Sequence, residues 1–176
     1  MGRTHPKRRF DSFVSEYLFD VGFNGFTLRP LRLSAFARDK IQSGPKMRIL
    51  LLTHAFNSLT QRFYVELVEK GHDVSIEFDI NDSVSIEAVE MFRPDLVVAP
   101  YLRRAIPETI WKNHLCIVIH PGIVGDRGPS ALDWAILNDE TRWGVTALQA
   151  NEVMDGGNIW ATAEFAMRPA KKSSLY

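Results

Sequence analysis

His120 and Asp155, thirty-five positions apart, are the two residues of this chain best suited to act together in a reaction. An imidazole exchanges a proton near neutral pH, and a carboxylate beside it favours the charged ring and orients it. Such a pair sets a cation or hydrogen-bond donor beside an oxygen that gains negative charge. Each residue also has a plainer reading: His120 ends a strand, and Asp155 forms an Asp-Gly turn, as most such pairs do. Both belong to one continuous unit, IHPGIVGDRGPSALDWAILNDETRWGVTALQANEVMDGGNIW, which ends at Trp160.

The elements around them are legible. Leu115 to Ile119 (LCIVI) is apolar and β-branched, as in a strand buried on both faces, and His120 is the first polar group at its carboxyl end. In open α/β sheets that edge is where ligands bind. Pro121, Gly122, Gly125, Gly128 and Pro129 break regular structure and let backbone N–H groups approach a ligand. Ser130-x-x-Asp133 predicts a capped helix of about two turns, Gly144 to Ala150 a strand, and Met154-Asp155-Gly156-Gly157 a turn into a last strand over 158–165. Upstream, Ile49 to Leu52 predicts a buried strand, and Ser58-x-x-Gln61 a capping box for a helix with Leu59, Phe63, Leu67 and Val68 on one face, ending at Gly71. Val74, Ile76 and Phe78 alternate as a strand. Ile86, Val89 and Phe92 mark a helix, Leu96 to Ala99 a strand, and Pro107 the first turn of a short helix. This alternation predicts an α/β fold: a Rossmann-like open, mostly parallel sheet, closed by an antiparallel pair because the last two strands lie too close for a crossover helix.

Composition sets outer limits. The 176 residues, 45% hydrophobic with formal net charge zero, suffice for one domain with its own core. One cysteine excludes an intramolecular disulfide and fits a reducing, cytoplasmic setting. No apolar run is long enough to span a membrane. The five histidines are scattered without ligand spacing, so no metal is expected, and neither GxGxxG nor GxxxxGK[ST] occurs. Charge is uneven: residues 1–46 hold nine Lys/Arg and four Asp/Glu, net +5, and residues 47–176 hold twelve and seventeen, net −5. Residues 1–46 read as an extension, either disordered or upstream of the true start, with Met47 the preferred first residue. Nucleic-acid binding by the basic opening is the weaker reading.

The unit containing Val118-Ile119-His120, Gly125-Asp126-Arg127-Gly128, Gly144-Val145-Thr146 and Asp155-Gly156-Gly157 resembles, in order, the signature of the folate-dependent formyltransferases. With FDIND and VVAPYLRRAIP it is similar, more narrowly, to the amino-terminal domain of hydrogenase maturation factors of the HypX/HoxX type. The resemblance covers Met47 to Tyr176 and implies a formyltransferase-like domain that continues past the chain's end. It implies His120 and Asp155 as the catalytic pair, with 10-formyltetrahydrofolate as formyl donor and coenzyme A as acceptor. The formyl-CoA formed would serve carbon monoxide supply to a nickel–iron hydrogenase. As partners it implies small-molecule substrates, an enoyl-CoA hydratase-like domain that is missing here, and hydrogenase maturation proteins. It also implies a pterin-binding loop over Tyr101 to Pro107, including Tyr101, Leu102, Arg103 and Pro107.

One position departs from that pattern. The family carries Asn two residues before the histidine, and Val118 stands there; valine cannot hydrogen-bond an oxyanion, and losing one such donor costs ~10²–10³ in rate. A thiol acceptor, which attacks readily as thiolate, would need that donor less. Arg127 is a candidate for a folate or CoA anion or for a loop salt bridge. His54 is a candidate ligand contact or a structural histidine. Asp126 is expected to be solvated or to orient Arg127, and Arg103 and Arg104 have a solvated reading. Cys116 is expected in the core, Asn81 and Asp82 in a turn or at a ligand, and Trp134, Trp143 and Trp160 in packing. Two rival readings stay open: a catalytically silent folate- or CoA-binding module, and the amino-terminal half of a nucleotide-sugar glycosyltransferase, suggested by LLTHAFNS and VELVEKGHDV.

Overall fold

The structure, a computed structural model, describes residues 46–172. The extension expected over residues 1–46 therefore lies, apart from Lys46, outside the described residues. The elements run β1 (Arg48–Thr53), α1 (Ser58–Glu69), β2 (Asp73–Phe78), α2 (Asp82–Phe92), β3 (Leu96–Tyr101), α3 (Glu108–Trp111), β4 (Cys116–His120), α4 (Ala131–Leu137), β5 (Arg142–Gln149) and β6 (Ile159–Ala166). One six-stranded sheet has the order β2-β1-β3-β4-β5-β6. The pairings of β1 with β2, β1 with β3 and β3 with β4 are parallel; those of β4 with β5 and β5 with β6 are antiparallel. This is the mostly parallel sheet with an antiparallel closing pair that the alternation of patterns predicts.

Period-two alternation along the strands sorts residues between two cores. Ile49 and Leu51 of β1 and Ile117 and Ile119 of β4 pack with Phe63 and Leu67 of α1. Leu50, Leu52 and Cys116 face the other way, against Val89 of α2 and Ile110 of α3. Ile49 to Leu52 are essentially inaccessible, and each such side chain contributes about 1.5–3 kcal/mol through burial. Phe63 and Leu67 sit one helical turn apart, as expected, but Val68 turns outward and is exposed. Among the described residues no helix is long and apolar enough to cross a membrane.

Several local expectations need correction. The N-cap of α1 is Asn57, whose Oδ1 accepts from Thr60 N at 3.0 Å, while Gln61 donates its amide to Phe56 O at 2.9 Å. Ser58 is already helical, so its hydroxyl cannot cap. At α4, Ser130 adopts a left-handed conformation (φ 65°) and makes no side-chain cap; Asp133 instead accepts from Lys172 Nζ at 2.6 Å. Strand β3 runs past Ala99 through Pro100 to Tyr101. Proline has no N–H to give the ladder, and the β1–β3 register shifts at that point, so that Thr53 pairs with Tyr101. Trp134 is not a packing residue: it is 61% exposed, whereas Trp143 is buried.

Candidate functional site

The carboxyl ends of β1, β3 and β4 open onto a cavity of about 920 Å³. Its floor is apolar, with Leu59, Ile106, Trp111, Val118 and Leu148, and His120 and Asp155 lie together in its wall. Asn57, the loop from Tyr101 to Ile106, Asn151 and Lys172 also line it.

His120 is the last residue of β4 and 3% exposed. It is held on both edges. Nδ1 lies 3.4 Å from Asp155 Oδ2, and Nε2 lies 2.7 Å from Asp126 Oδ2. Asp155 is itself fixed by Gly128 N–H, which donates to Oδ2 at 2.9 Å. Its backbone is left-handed (φ 51°), a conformation that Asp tolerates better than most residues. Gly157 lets this turn lie flat on β5, since a Cβ there would fall 1.7 Å from Gln149 O. Gln149 N in turn donates to Asn158 O at 2.9 Å.

Strand β5 fixes the start of the loop that follows the histidine. Thr146 pairs with His120 across the β4–β5 ladder, and its hydroxyl donates to Gly122 O at 2.8 Å. Trp143 Nε1 donates to Pro121 O at the same distance. The Gly-Val-Thr strand therefore shapes the histidine loop.

The other sequence candidates divide. Tyr101, Leu102 and Arg103 line the cavity; His54, Pro107 and Arg127 do not. His54 is exposed, its N–H bonds Tyr101 O at 2.7 Å, and its ring meets the Tyr101 ring edge-on at 6.2 Å. Pro107 is the N-cap of α3, and Arg127 is exposed. Asn81 caps α2 by accepting from Val84 N, and Asp82 pairs with Arg104. Burial pushes the Cys116 thiol up to about 12, which disqualifies it as a nucleophile. Asp126 corrects the expectation of a solvated residue or a partner for Arg127: it bonds the histidine. Its distance of only six residues from His120 on a Gly-rich loop was the available signal. Asn57, Asn151 and Lys172 carried no pattern that pointed to a cavity. Among the described residues no group of three His, Cys, Asp or Glu side chains is placed to hold a metal ion.

An open, mostly parallel sheet with a histidine at the carboxyl end of a central strand and an aspartate folded back onto it is the arrangement that the formyltransferase resemblance implies. The formyl transferase family profile matches residues 47–175, and the chain belongs to that family. Within it, the chain is 58% identical to the hydrogenase maturation factor HoxX of Bradyrhizobium diazoefficiens over 130 residues, which are 74% of this chain and 23% of that protein. The crystal structure of HypX from Aquifex aeolicus in complex with tetrahydrofolic acid superposes with a TM-score of 0.73 at 52% identity, covering 75% of this chain and 23% of that one. A methionyl-tRNA formyltransferase of Syntrophus aciditrophicus is 31% identical over 99 residues, 54% of this chain and 32% of that protein. The chain thus spans about a quarter of the maturation factors it matches. The glycosyltransferase reading falls with the family match.

Proposed function

We propose that this domain transfers a formyl group from 10-formyltetrahydrofolate to coenzyme A, within a larger protein that serves hydrogenase maturation. The observation that carries the reading is the buried His120, paired with Asp155 in the wall of a cavity of about 920 Å³. That volume lies at the upper end of the ~300–1,000 Å³ usual for ligand sites, enough for a pterin. The structure of HypX with tetrahydrofolic acid, at 52% identity, supports a folate ligand.

Bound 10-formyltetrahydrofolate supplies an electrophilic formyl carbon; the chain positions it and meets the charge that develops. Attack at that carbon places negative charge on the formyl oxygen. A protonated His120 donates to that oxygen, and Asp155 balances the cation from 3.4 Å. Tyr101 O is already engaged by His54 N–H, so backbone contact with the pterin falls to Leu102 and Arg103. Arg127 is exposed on the loop after β4, and in this reading it meets an anionic group of donor or acceptor outside the cavity.

Val118 favours a second reading. It lines the cavity two residues before His120 and offers no donor, as a silent folate-binding module would allow. Titration with tetrahydrofolate, followed by assay of formyl-CoA formation, separates the two. Binding with turnover supports transfer, binding alone supports the silent module, and no binding sinks both. Val118→Asn should raise formyl transfer to an amine acceptor by about tenfold or more, as expected for one restored oxyanion donor. An unchanged rate would mean that another group already fills that role.

A further inference from the structure

We infer that Asp126 is the positioning residue for His120: it holds the proton on Nε2 from behind the ring, and leaves Nδ1 as the nitrogen that exchanges a proton at the cavity. The shortest polar contact to the ring is from Asp126, 2.7 Å at Nε2, against 3.4 Å from Asp155 at Nδ1. A carboxylate only accepts, so Nε2 carries its proton whether the ring is neutral or charged. The two flanks also differ in place. Asp155 lines the cavity and Asp126, 27% exposed on the loop after β4, does not, so the Nδ1 edge lies on the cavity side and the Nε2 edge on the loop side.

The backbone is built for this contact. A Cβ on Gly122 would lie 2.4 Å from His120 Nε2 and 2.3 Å from Asp126 Oδ2. Any other residue at 122 would wedge the pair apart. Asp126 N–H closes the turn onto Ile123 O at 3.0 Å, and Gly125 takes the left-handed bend (φ 94°) that returns the chain to the ring. His120, Gly122 and Asp126 therefore form one local device. Asp126 and Asp155 are the acidic side chains within ion-pair distance of the ring among the described residues. A carboxylate fixing the distal nitrogen of a histidine sets which nitrogen works at the reacting atoms. When Nδ1 carries a proton as well, that N–H is the donor to the formyl oxygen. The resulting cation is flanked by both carboxylates.

The role in catalysis rests on the formyl-transfer reading; the ring assignment does not. The test is ¹⁵N NMR of the His120 ring in the full chain, at a pH where the ring is neutral, together with formyl-transfer kinetics. The wild-type ring should carry its proton on Nε2, and Asp126→Asn should erase that preference. The same variant should lower kcat about 10²-fold while KM for the folate donor moves less than about threefold, and Asp126→Glu should recover part of the loss. A wild-type ring protonated on Nδ1, or an Asp126→Asn variant with unchanged spectrum and kcat, overturns the inference. Should Asp126→Asn not fold, the wild-type spectrum alone decides. An Nε2–H ring in a chain without formyl transfer sinks the formyl-transfer reading and still supports the assignment.

Discussion

At the end of β4, His120 lies between Asp126 and Asp155; in the loop after β3, Arg104 lies between Asp79 and Asp82. The charge pattern is the same, yet the two arrangements suit different work. His120 is buried and faces the cavity with a ring that gains and loses protons. Arg104 is 43% exposed and permanently charged. It bonds Ile80 O at 3.3 Å, lies 3.7 Å from Asp79 Oδ1 and pairs closely with Asp82. That ties the Tyr101–Ile106 loop to the end of β2. Both cations line the cavity, so two carboxylates around a cation mark a candidate reaction centre only where the cation can give up its proton; where it cannot, they fasten a loop.

Replacing the titratable cation should give the largest effect. His120→Gln keeps polarity and approximate size but cannot carry charge, and formyl transfer should fall about 10³-fold, within the range for loss of an acid–base group. Tetrahydrofolate affinity should stay within a few fold, measured by titration. If His120→Gln retained most of the transfer rate, His120 would be no more special than Arg104.

The turn that brings Asp155 to the ring comes next. Gly157→Ala would place a methyl group 1.7 Å from Gln149 O, a backbone atom that cannot swing aside. The expected cost is about 2–3 kcal/mol of stability, with a lower denaturation midpoint. Formyl transfer should fall as well, because Asp155 rides on the same turn. A variant as stable as the wild type would mean that the turn stands clear of β5.

Much of this was legible in the chain itself, and the boundary follows from physics. Strand alternation from Ile49 to Ile119 fixes which residues face each core, because the period of two leaves little freedom. The pairing of His120 with Asp155 was legible only through the order of a family signature, since periodicity cannot say which turns fold back. Asp126 was misassigned because a charged residue between glycines looks solvated until the loop's left-handed bend is known. The capping expectations at Ser58 and Ser130 differ from the structure for a similar reason: capping depends on backbone conformation at one residue, and Asn57 takes the cap before Ser58 while Ser130 is left-handed. The strand expected over Leu96 to Ala99 continues through Pro100 to Tyr101, where a register shift accommodates the missing donor.

Loosening the tether should produce a smaller change. Arg104→Met leaves Asp79, whose side chain is 4% exposed, without its cation. The loss should be about 1–2 kcal/mol, less than the full cost of orphaning a buried charge because Arg104 is 43% exposed and partly screened by water. Adding Asp79→Asn should recover part of it in a double-mutant cycle. Strict additivity would mean that the two side chains do not interact and that the loop is fastened elsewhere.

The smallest effect is the most specific to the tether. Burial raises the Asp79 carboxyl above its ordinary 3.8; Arg104 and His54 pull it down and Asp82 pushes it up, without reversing the direction. Asp79 Oδ2 has no hydrogen-bond partner among the described residues. The native state therefore binds this proton more tightly than the unfolded chain does. Stability contributed here is fully present below 3.8 and is lost as pH rises through the raised native value. Asp79→Asn cannot ionise, so it should melt higher than wild type at pH 7, by up to about 1 kcal/mol. The advantage should shrink on acidification and vanish once Asp79 is protonated in both states. Thermal melts of the two proteins across that pH range provide the check. A gap that widened towards acid would mean that Arg104 holds Asp79 as a carboxylate, and the tether would then be an ion pair of net benefit rather than a charge tolerated for the sake of the loop.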